Sequence, residues 1–285
     1  MTKKEGRSFT MQPPQPIFVS KLFPILLKEL ISLLKGLSKA EWDLPTACPS
    51  WSVKDIALHL LGGDIGILSG KRDGYSIFTS INSWKHLVSL VNEQNERWVK
   101  GAQRMSPELI IELLKFMGEQ VADYFLSLDP FVIGEPVSWV SPEPAPVWLD
   151  LAREYTERWH HQQHIRDSVG KPGIKEQKFL APILDTFILA LPRTFKNVEA
   201  ESGTSIGIGI TGSIRKQWTL NNTLGDWRLY EGSMGEDQAT VVIEDDVAWR
   251  IFTNEILSTE AKKLIQIKGN RLLGETVLDT VSIIA

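Results

Sequence analysis

Up to Gly170 the apolar positions of this chain recur every three or four residues, the interval of an amphipathic helix, and polar clusters separate the runs. Leu22, Ile25, Leu26, Leu30, Leu33 and Leu34 predict a first helix over residues 18–37, closed by Gly36. Residues 43–50 carry Pro45 and Pro49 and read as an extended loop. Ser52 then opens a second helix as N-cap, with Asp55 three residues on as its acidic partner and Trp51 stapling the first turn. That helix passes through His59 to Gly62 and Gly63, with a possible extension to Leu68, and a polar loop over 69–79 follows. Trp84, Leu87, Val88, Val91, Trp98 and Val99 mark a third helical run, and Ser106-Pro107-Glu108 opens a fourth. A proline-rich connection over 135–146, of the length that often carries function, leads to a helix over 147–169 that stops at Gly170 with Pro172 beyond. Short connections between helices with one apolar face favour an antiparallel bundle, with sites built between facing helices.

The pattern changes after Pro172. Residues 179–195 read as one bridging helix. From Ser205 onward short alternating runs predict strands over 206–210, 217–220, 227–230 and 240–243, separated by turn signals such as Asn221-Asn222 and Leu224-Gly225-Asp226. Residues 245–253 and 271–283 read as helices, which makes the second unit a small α+β domain. The expected layout is a flexible arm over 1–16, a helical domain over 17–172, and a bridging helix with the α+β domain over 173–285.

Composition narrows the function. A chain of 285 residues with a formal net charge of −4 is a poor electrostatic partner for nucleic acid. Its single cysteine, Cys48, allows neither an intrachain disulfide nor a cysteine-cluster zinc site. The stretch Met11-Gln12-Pro13-Pro14-Gln15-Pro16 lacks the apolar core of a signal peptide, and no apolar run reaches the ~20 residues of a membrane span, so a cytoplasmic protein is expected.

Three of the five histidines lie in Glu157-Arg158-Trp159-His160-His161-Gln162-Gln163-His164. On a helix Glu157, His161 and His164 share one face, the projection that a borderline divalent metal requires from adjacent turns. His59, inside Ile56-Ala57-Leu58-His59-Leu60-Leu61, is a candidate further ligand from the second helix. Taken alone, a histidine in such an apolar run reads as a core residue hydrogen-bonded to a neighbour. Together with the cluster it forms a two-histidine, one-carboxylate set with open positions, suited to Zn²⁺ and also to Fe²⁺ or Ni²⁺. Spacing leaves the pair on the later helix open, because Glu157/His161 and His160/His164 are both four apart. His86 has no partner at metal spacing and reads as a surface residue.

Pro45-Thr46-Ala47-Cys48-Pro49-Ser50-Trp51-Ser52-Val53-Lys54-Asp55-Ile56-Ala57-Leu58-His59-Leu60 resembles the start of the mycothiol-dependent maleylpyruvate isomerase family, within the wider DinB-like metal-binding superfamily. The marks of that family are a Cys-Pro-small-Trp turn and a helix whose first apolar stretch ends in a metal-binding histidine. Glu157 to Arg166 resembles its later motif, a Glu four residues before a His and then Ile-Arg. The chain from about Ile206 is similar to the sterol-carrier-protein-like α+β domain that follows in many members. The resemblance implies a DinB-like antiparallel four-helix bundle ahead of that domain, with metal ligands at His59, Glu157 and His161. His164 departs from the pattern, which usually has an acidic residue there, and is read as a second-shell group or alternative ligand. His160 then points off the site. Cys48 lies near a helix N-terminus, where thiols can be reactive, but in a packed turn that the family uses structurally.

The implied chemistry is a divalent metal at which a low-molecular-weight thiol such as mycothiol is deprotonated, then isomerisation of, or S-transfer to, a small electrophile such as maleylpyruvate. The rival readings are a lipid-type ligand-binding module with a structural or vestigial metal site, and a hydrolase using metal-bound hydroxide. Arg215, Arg228 and Arg250 of the second domain are eligible to hold a substrate carboxylate, without rank among them.

Overall fold

The computed structural model describes residues 12–75, 83–233 and 235–283, so residues 1–11 of the expected arm and 76–79 of the expected polar loop lie outside it. The chain divides into two compact units. One is helical and comprises residues 17–138 and 142–175, with 283–285. The other comprises 1–16, 139–141 and 176–282. No helix among the described residues is long and apolar enough to cross a membrane.

The helical unit contains α1 (Phe23–Lys35), α2 (Val53–Gly66), α3 (Trp84–Ala102), α4 (Pro107–Ser127) and α5 (Val147–Ser168). The first helix is shorter than its apolar run predicts, because the chain enters through a 3-10 turn at Ser20–Leu22 and Pro24 occupies the first α turn. α2 starts as predicted: the Ser52 hydroxyl accepts from the Asp55 backbone N–H, and the Asp55 carboxylate takes the Ser52 N–H at 2.9 Å. Beyond Gly66 the helix widens into a π-helical stretch, Ile67–Arg72. α2 packs on α3, α4 and α5, and α1 packs on α4 and α5. Leu30, Leu34, Ile56, Leu58, Leu61, Ile110 and Leu114 fill the centre. Gly62 lets α3 approach α2: a Cβ there would lie 2.6 Å from the Trp98 indole, which donates to the Leu58 carbonyl at 2.7 Å.

α5 is the unusual element. Its eight consecutive residues 159–166 are all buried, although six of them are His, Gln or Arg. Buried polar groups are costly unless paired, and three side chains of this run reach backbone carbonyls, while the Gln163 amide has no hydrogen-bond partner among the described residues. The Gln162 amide donates to the Leu26 carbonyl at 3.1 Å, the Trp159 indole to the Ile174 carbonyl at 2.9 Å, and Arg166 to the Pro172 carbonyl at 2.8 Å. One turn earlier a ladder of alternating charges runs along α5. Asp64 of α2 meets Arg158 at 2.7 Å, Arg158 meets Glu154 at 2.6 Å, Glu154 meets Arg153, Arg153 meets Asp150 at 2.7 Å, and Asp150 meets Lys71 of the π-helical stretch. The guanidinium of Arg158 also lies 5.7 Å and 5.6 Å from the ring centres of Phe23 and Phe125. Burial raises the proton affinity of Asp64 despite Arg158. Burial acts the same way on Asp150, but Arg153 and Lys71 outweigh it and hold that carboxyl at about 2.

In the second unit the single bridging helix expected over 179–195 is broken. α6 (Gln177–Phe187) passes through a 3-10 turn at Ile188–Ala190 into α7 (Leu191–Thr194), whose first turn holds Pro192. Strands β1 (Ser205–Thr211), β2 (Lys216–Thr223), β3 (Asp226–Glu231), β4 (Ala239–Glu244) and β5 (Gln266–Gly269) form one mixed sheet in the order β3-β2-β1-β4-β5. β1 and β4 are parallel and the other pairs are antiparallel. Ile206 pairs with Leu220 and Ala239, and Ile208 with Trp218 and Val241, so alternate residues build the buried face. Leu224 and Gly225, at φ 56° and 90°, make the two-residue turn between β2 and β3. β5 has no counterpart among the predicted strands: Gln-Ile-Lys-Gly is short and largely exposed, so it carries no apolar alternation. α8 (Asp245–Phe252) and the four-residue α9 (Ser258–Ala261) precede that strand. The helix expected over 271–283 ends early, as α10 (Arg271–Thr276) and a 3-10 turn at Val277–Asp279. The backbone N–H of Ser282 is taken by the Phe252 carbonyl at 2.8 Å instead of a helical partner.

The ladder predicts a contrast in stability. Glu154→Ala leaves Arg153 and Arg158 without a shared buried carboxylate and is expected to cost about 3–5 kcal/mol in urea unfolding. Arg97→Ala, which removes an exposed pair with Glu93, is expected to change stability by no more than about 0.5 kcal/mol. Similar losses in the two variants would contradict the assignment of the ladder as the clamp on α5.

Candidate metal centre

His59 lies on the second turn of α2, between Leu58 and Leu60, whose burial fixes the rotation of that helix. Glu157 and His161 lie one turn apart on α5. Their meeting point is a single carboxylate oxygen: Glu157 Oε1 is 3.1 Å from His59 Nε2 and 3.1 Å from His161 Nε2. The His59 and His161 rings stand edge to face with centres 4.7 Å apart, and the Trp51 ring lies against His59 at 4.9 Å, tilted by 43°. The His59 and His161 side chains are 11% and 9% exposed and Glu157 33%, so the group opens to solvent on the Glu157 side.

Electrostatics suit these residues to hold a cation. Burial opposes the charge of Glu157, but His161 and His59 outweigh it and keep the carboxyl well below its usual value, so it is ionised. Burial pushes His161 well below its usual value, so its ring is neutral and retains a lone pair. Burial likewise lowers neighbouring His160 to about 4, while its Nδ1 contacts the Thr156 carbonyl at 2.8 Å. Two neutral imidazoles and a carboxylate are a common zinc donor set. Tetrahedral zinc with N and O ligands near 2.0–2.2 Å places neighbouring ligand atoms about 3.4 Å apart. The observed 3.1 Å separations need only a small opening, so the residues fit.

Of the two pairs that spacing left open, Glu157 and His161 meet His59. His160 and His164 do not join that group. His164 instead lies with Cys48, whose Sγ is 3.2 Å from His164 Nδ1 and 3.8 Å from His161 Nδ1. Sequence reasoning missed this neighbour, because Cys48 is 113 and 116 residues away from the two histidines and its local motif reads as a turn. His86 is exposed at the start of α3, and among the described residues it belongs to no ligand group. In the second unit Arg250 pairs with Glu255 and stacks on Trp249, Arg228 pairs with Asp226 at 2.8 Å, and Arg215 is exposed.

A helical domain with a buried histidine–carboxylate group between two of its helices, followed by a small mixed-sheet domain, defines the class of this protein. The chain belongs to the mycothiol maleylpyruvate isomerase N-terminal domain family, whose profile matches residues 23–166. A crystal structure of a mycothiol-dependent maleylpyruvate isomerase superposes with a TM-score of 0.53 at 12% identity, covering 87% of this chain and 91% of that one. A histidine-to-alanine variant of that enzyme gives a TM-score of 0.53 at 11% identity, with the same coverage. At these identities the likeness is one of fold. The sterol carrier protein domain 2 of Helicoverpa armigera aligns over 38% of this chain at 15% identity, with a TM-score of 0.26. No curated protein matches the chain.

The buried, neutral His160 sets a pH dependence for the metal-free protein. Its folded value of about 4 lies below its ordinary 6.5, so between these the unfolded chain binds more protons and stability falls as pH falls. The contribution is complete above about pH 6.5 and amounts to about 3 kcal/mol at most. Urea unfolding of His160→Gln between pH 7 and pH 4 is expected to show a shallower decline than the parent, and parallel curves would count against the assignment.

Proposed function

We propose that this chain is a metal-dependent enzyme that activates a low-molecular-weight thiol of the mycothiol type toward a small electrophile. The observation that carries the proposal is the convergence of His59 Nε2 and His161 Nε2 on Glu157 Oε1, at a point that opens to solvent. Membership in the mycothiol maleylpyruvate isomerase N-terminal domain family supports the thiol, and maleylpyruvate is the named substrate of the structural relatives.

His59, Glu157 and His161 would hold the ion, with Zn²⁺ as first choice and Ni²⁺ or Fe²⁺ as alternatives. Such an ion, when bound, supplies a positive charge that converts a thiol of ordinary pKa about 8.5 into a thiolate at neutral pH. The residues of the chain prepare that place. Glu157 contributes its negative charge without needing to lose a proton, and the neutral ring of His161 offers a lone pair beside the His59 imidazole. Trp51 and the core residues beside His59 fix its ring and keep water from its inner side. The sole cysteine lies on the Nδ1 side of His161, away from the opening at Glu157, so the nucleophile is assigned to the bound small thiol. Its sulfur adds to an electrophilic carbon and the C=C π bond opens. The π electron pair passes to the substrate's conjugated carbonyl oxygen as an enolate. Rotation about the new single bond and collapse of the enolate with expulsion of the thiolate gives an isomer, whereas protonation of the enolate by solvent with the C–S bond kept gives S-transfer.

Elemental mass spectrometry and turnover of maleylpyruvate test this together. The parent is expected to carry near-stoichiometric metal and to turn over only with added mycothiol or a comparable thiol. His59→Ala and His161→Ala are expected to lose the metal and at least about a hundredfold in rate, since a metal Lewis acid is worth several kcal/mol. Turnover that persists without any thiol would replace this reading with metal-dependent hydrolysis, and absence of metal after reconstitution with Zn²⁺, Ni²⁺ or Fe²⁺ would end it.

A further inference from the structure

His161 presents its two ring nitrogens to different surroundings. Nε2 faces Glu157 and the His59 side, while Nδ1 faces Cys48 Sγ at 3.8 Å. His164, one helical turn further along α5, brings its own Nδ1 to 3.2 Å from the same sulfur. The two rings stand at 75° with centres 5.4 Å apart, so both nitrogens are aimed toward the thiol instead of stacking against each other. Cys48 is held in place by its turn. Its backbone N–H donates to the Thr46 hydroxyl at 3.2 Å, its carbonyl accepts from the Trp51 N–H at 3.1 Å, and Ser50 takes a φ of 67° to close the loop. The three ligand atoms lie within 4.8 Å of one another, His161 and His164 are buried, and Cys48 is half-buried.

We propose that Cys48, His161 and His164 form a second cation seat, distinct from the His59–Glu157 side and suited to a thiophilic ion of the zinc, cadmium, cobalt(II) or copper(I) class. Zinc-like bonds of about 2.3 Å to sulfur and 2.0–2.1 Å to nitrogen put tetrahedral S···N edges about 3.6 Å apart. The observed 3.2 Å and 3.8 Å bracket that length. Coordination releases the thiol proton to solvent, and a water completes the shell. One donor set is then soft, with a sulfur and two nitrogens, and the other harder, with two nitrogens and an oxygen. A neutral imidazole has a single lone pair, so the two seats compete for His161. An ion in the sulfur seat takes Nδ1 and leaves the N–H on Nε2, facing Glu157. The harder seat then retains only His59 and Glu157.

This inference shares only His161 with the proposed function, and separate variants distinguish the two. Metal-free full-length protein is titrated with Co²⁺ alone, and the thiolate-to-cobalt charge-transfer band in the near ultraviolet is followed, with circular dichroism as the check on folding. The parent and His59→Ala are expected to show the band, and Cys48→Ser and His164→Ala to lose it. Alkylation of Cys48 by iodoacetamide, a readout that needs no cysteine variant, is expected to be slowed at least about tenfold by Zn²⁺ in the parent and little in His164→Ala. Absence of the band from the folded parent would overturn the second seat. So would its loss in His59→Ala, which would mean that Cys48 joins one merged site. A band that follows this pattern in a protein with no thiol-dependent turnover would leave the seat standing and remove the proposed activity alone.

Discussion

The architecture of the helical unit turns on the burial of α5, a helix with too many polar residues to be buried cheaply. Eight consecutive residues of it are enclosed, and in the preceding turns the charges of Asp150, Arg153, Glu154 and Arg158 are each answered by one of opposite sign. Asp64, Glu154 and Asp150 balance Arg158, Arg153 and Lys71, so the ladder as a whole is neutral. Neutrality alone does not make such a ladder stabilising, since desolvation of ions offsets much of their attraction. Its effect is on specificity. A rotation or slide of α5 by one residue would strand several buried charges at once, so only one register of α5 against α2 is tolerated.

That register is what the candidate centre needs. Arg158, clamped to Asp64, is the immediate neighbour of Glu157, and the same constraint that seats Arg158 sets Glu157 opposite His59. The enclosed environment also shifts protonation in the useful direction. Burial keeps the rings of His160 and His161 neutral, while the facing histidines keep Glu157 ionised. Both shifts run downward, so at neutral pH Glu157 carries its charge while His160 and His161 stay uncharged. The thiol of Cys48 enters from a different direction, carried by the turn ahead of α2. That gives His161 a second set of neighbours on the edge of its ring turned away from Glu157.

Much of this was written locally. The capping box at Ser52 and Asp55, the prolines at the starts of α1 and α4, the Leu224-Gly225 turn and the alternation in β1 to β4 each act within a few residues, and each element begins or turns where such a signal stands. The elements that were misjudged depend on distant partners. β5 is a strand because β4 offers it an edge, although Gln-Ile-Lys-Gly has no strand pattern of its own. The chain after Asp279 leaves the helical path because Ser282 bonds to the Phe252 and Phe187 carbonyls. The run from 179 to 195 breaks at Ile188–Ala190, just ahead of Pro192 in the first turn of α7, a local signal that helical periodicity masked.

The same division holds at the candidate centre. Helical periodicity by itself placed Glu157 and His161 on one face of a helix and His59 on another, because a spacing of four closes a turn whatever surrounds it. Whether Glu157/His161 or His160/His164 would meet His59 depended on the rotation of α5 about its axis, and spacing within one helix carries no information about that angle. Packing decided it, through Asp64 holding Arg158 and Gln162 reaching the Leu26 carbonyl. Packing also brought Cys48 to His164 across 116 residues of sequence. Local sequence thus determined which side chains share an element, and tertiary structure alone decided which elements face each other, because that choice is made by burial and charge pairing summed over the whole domain.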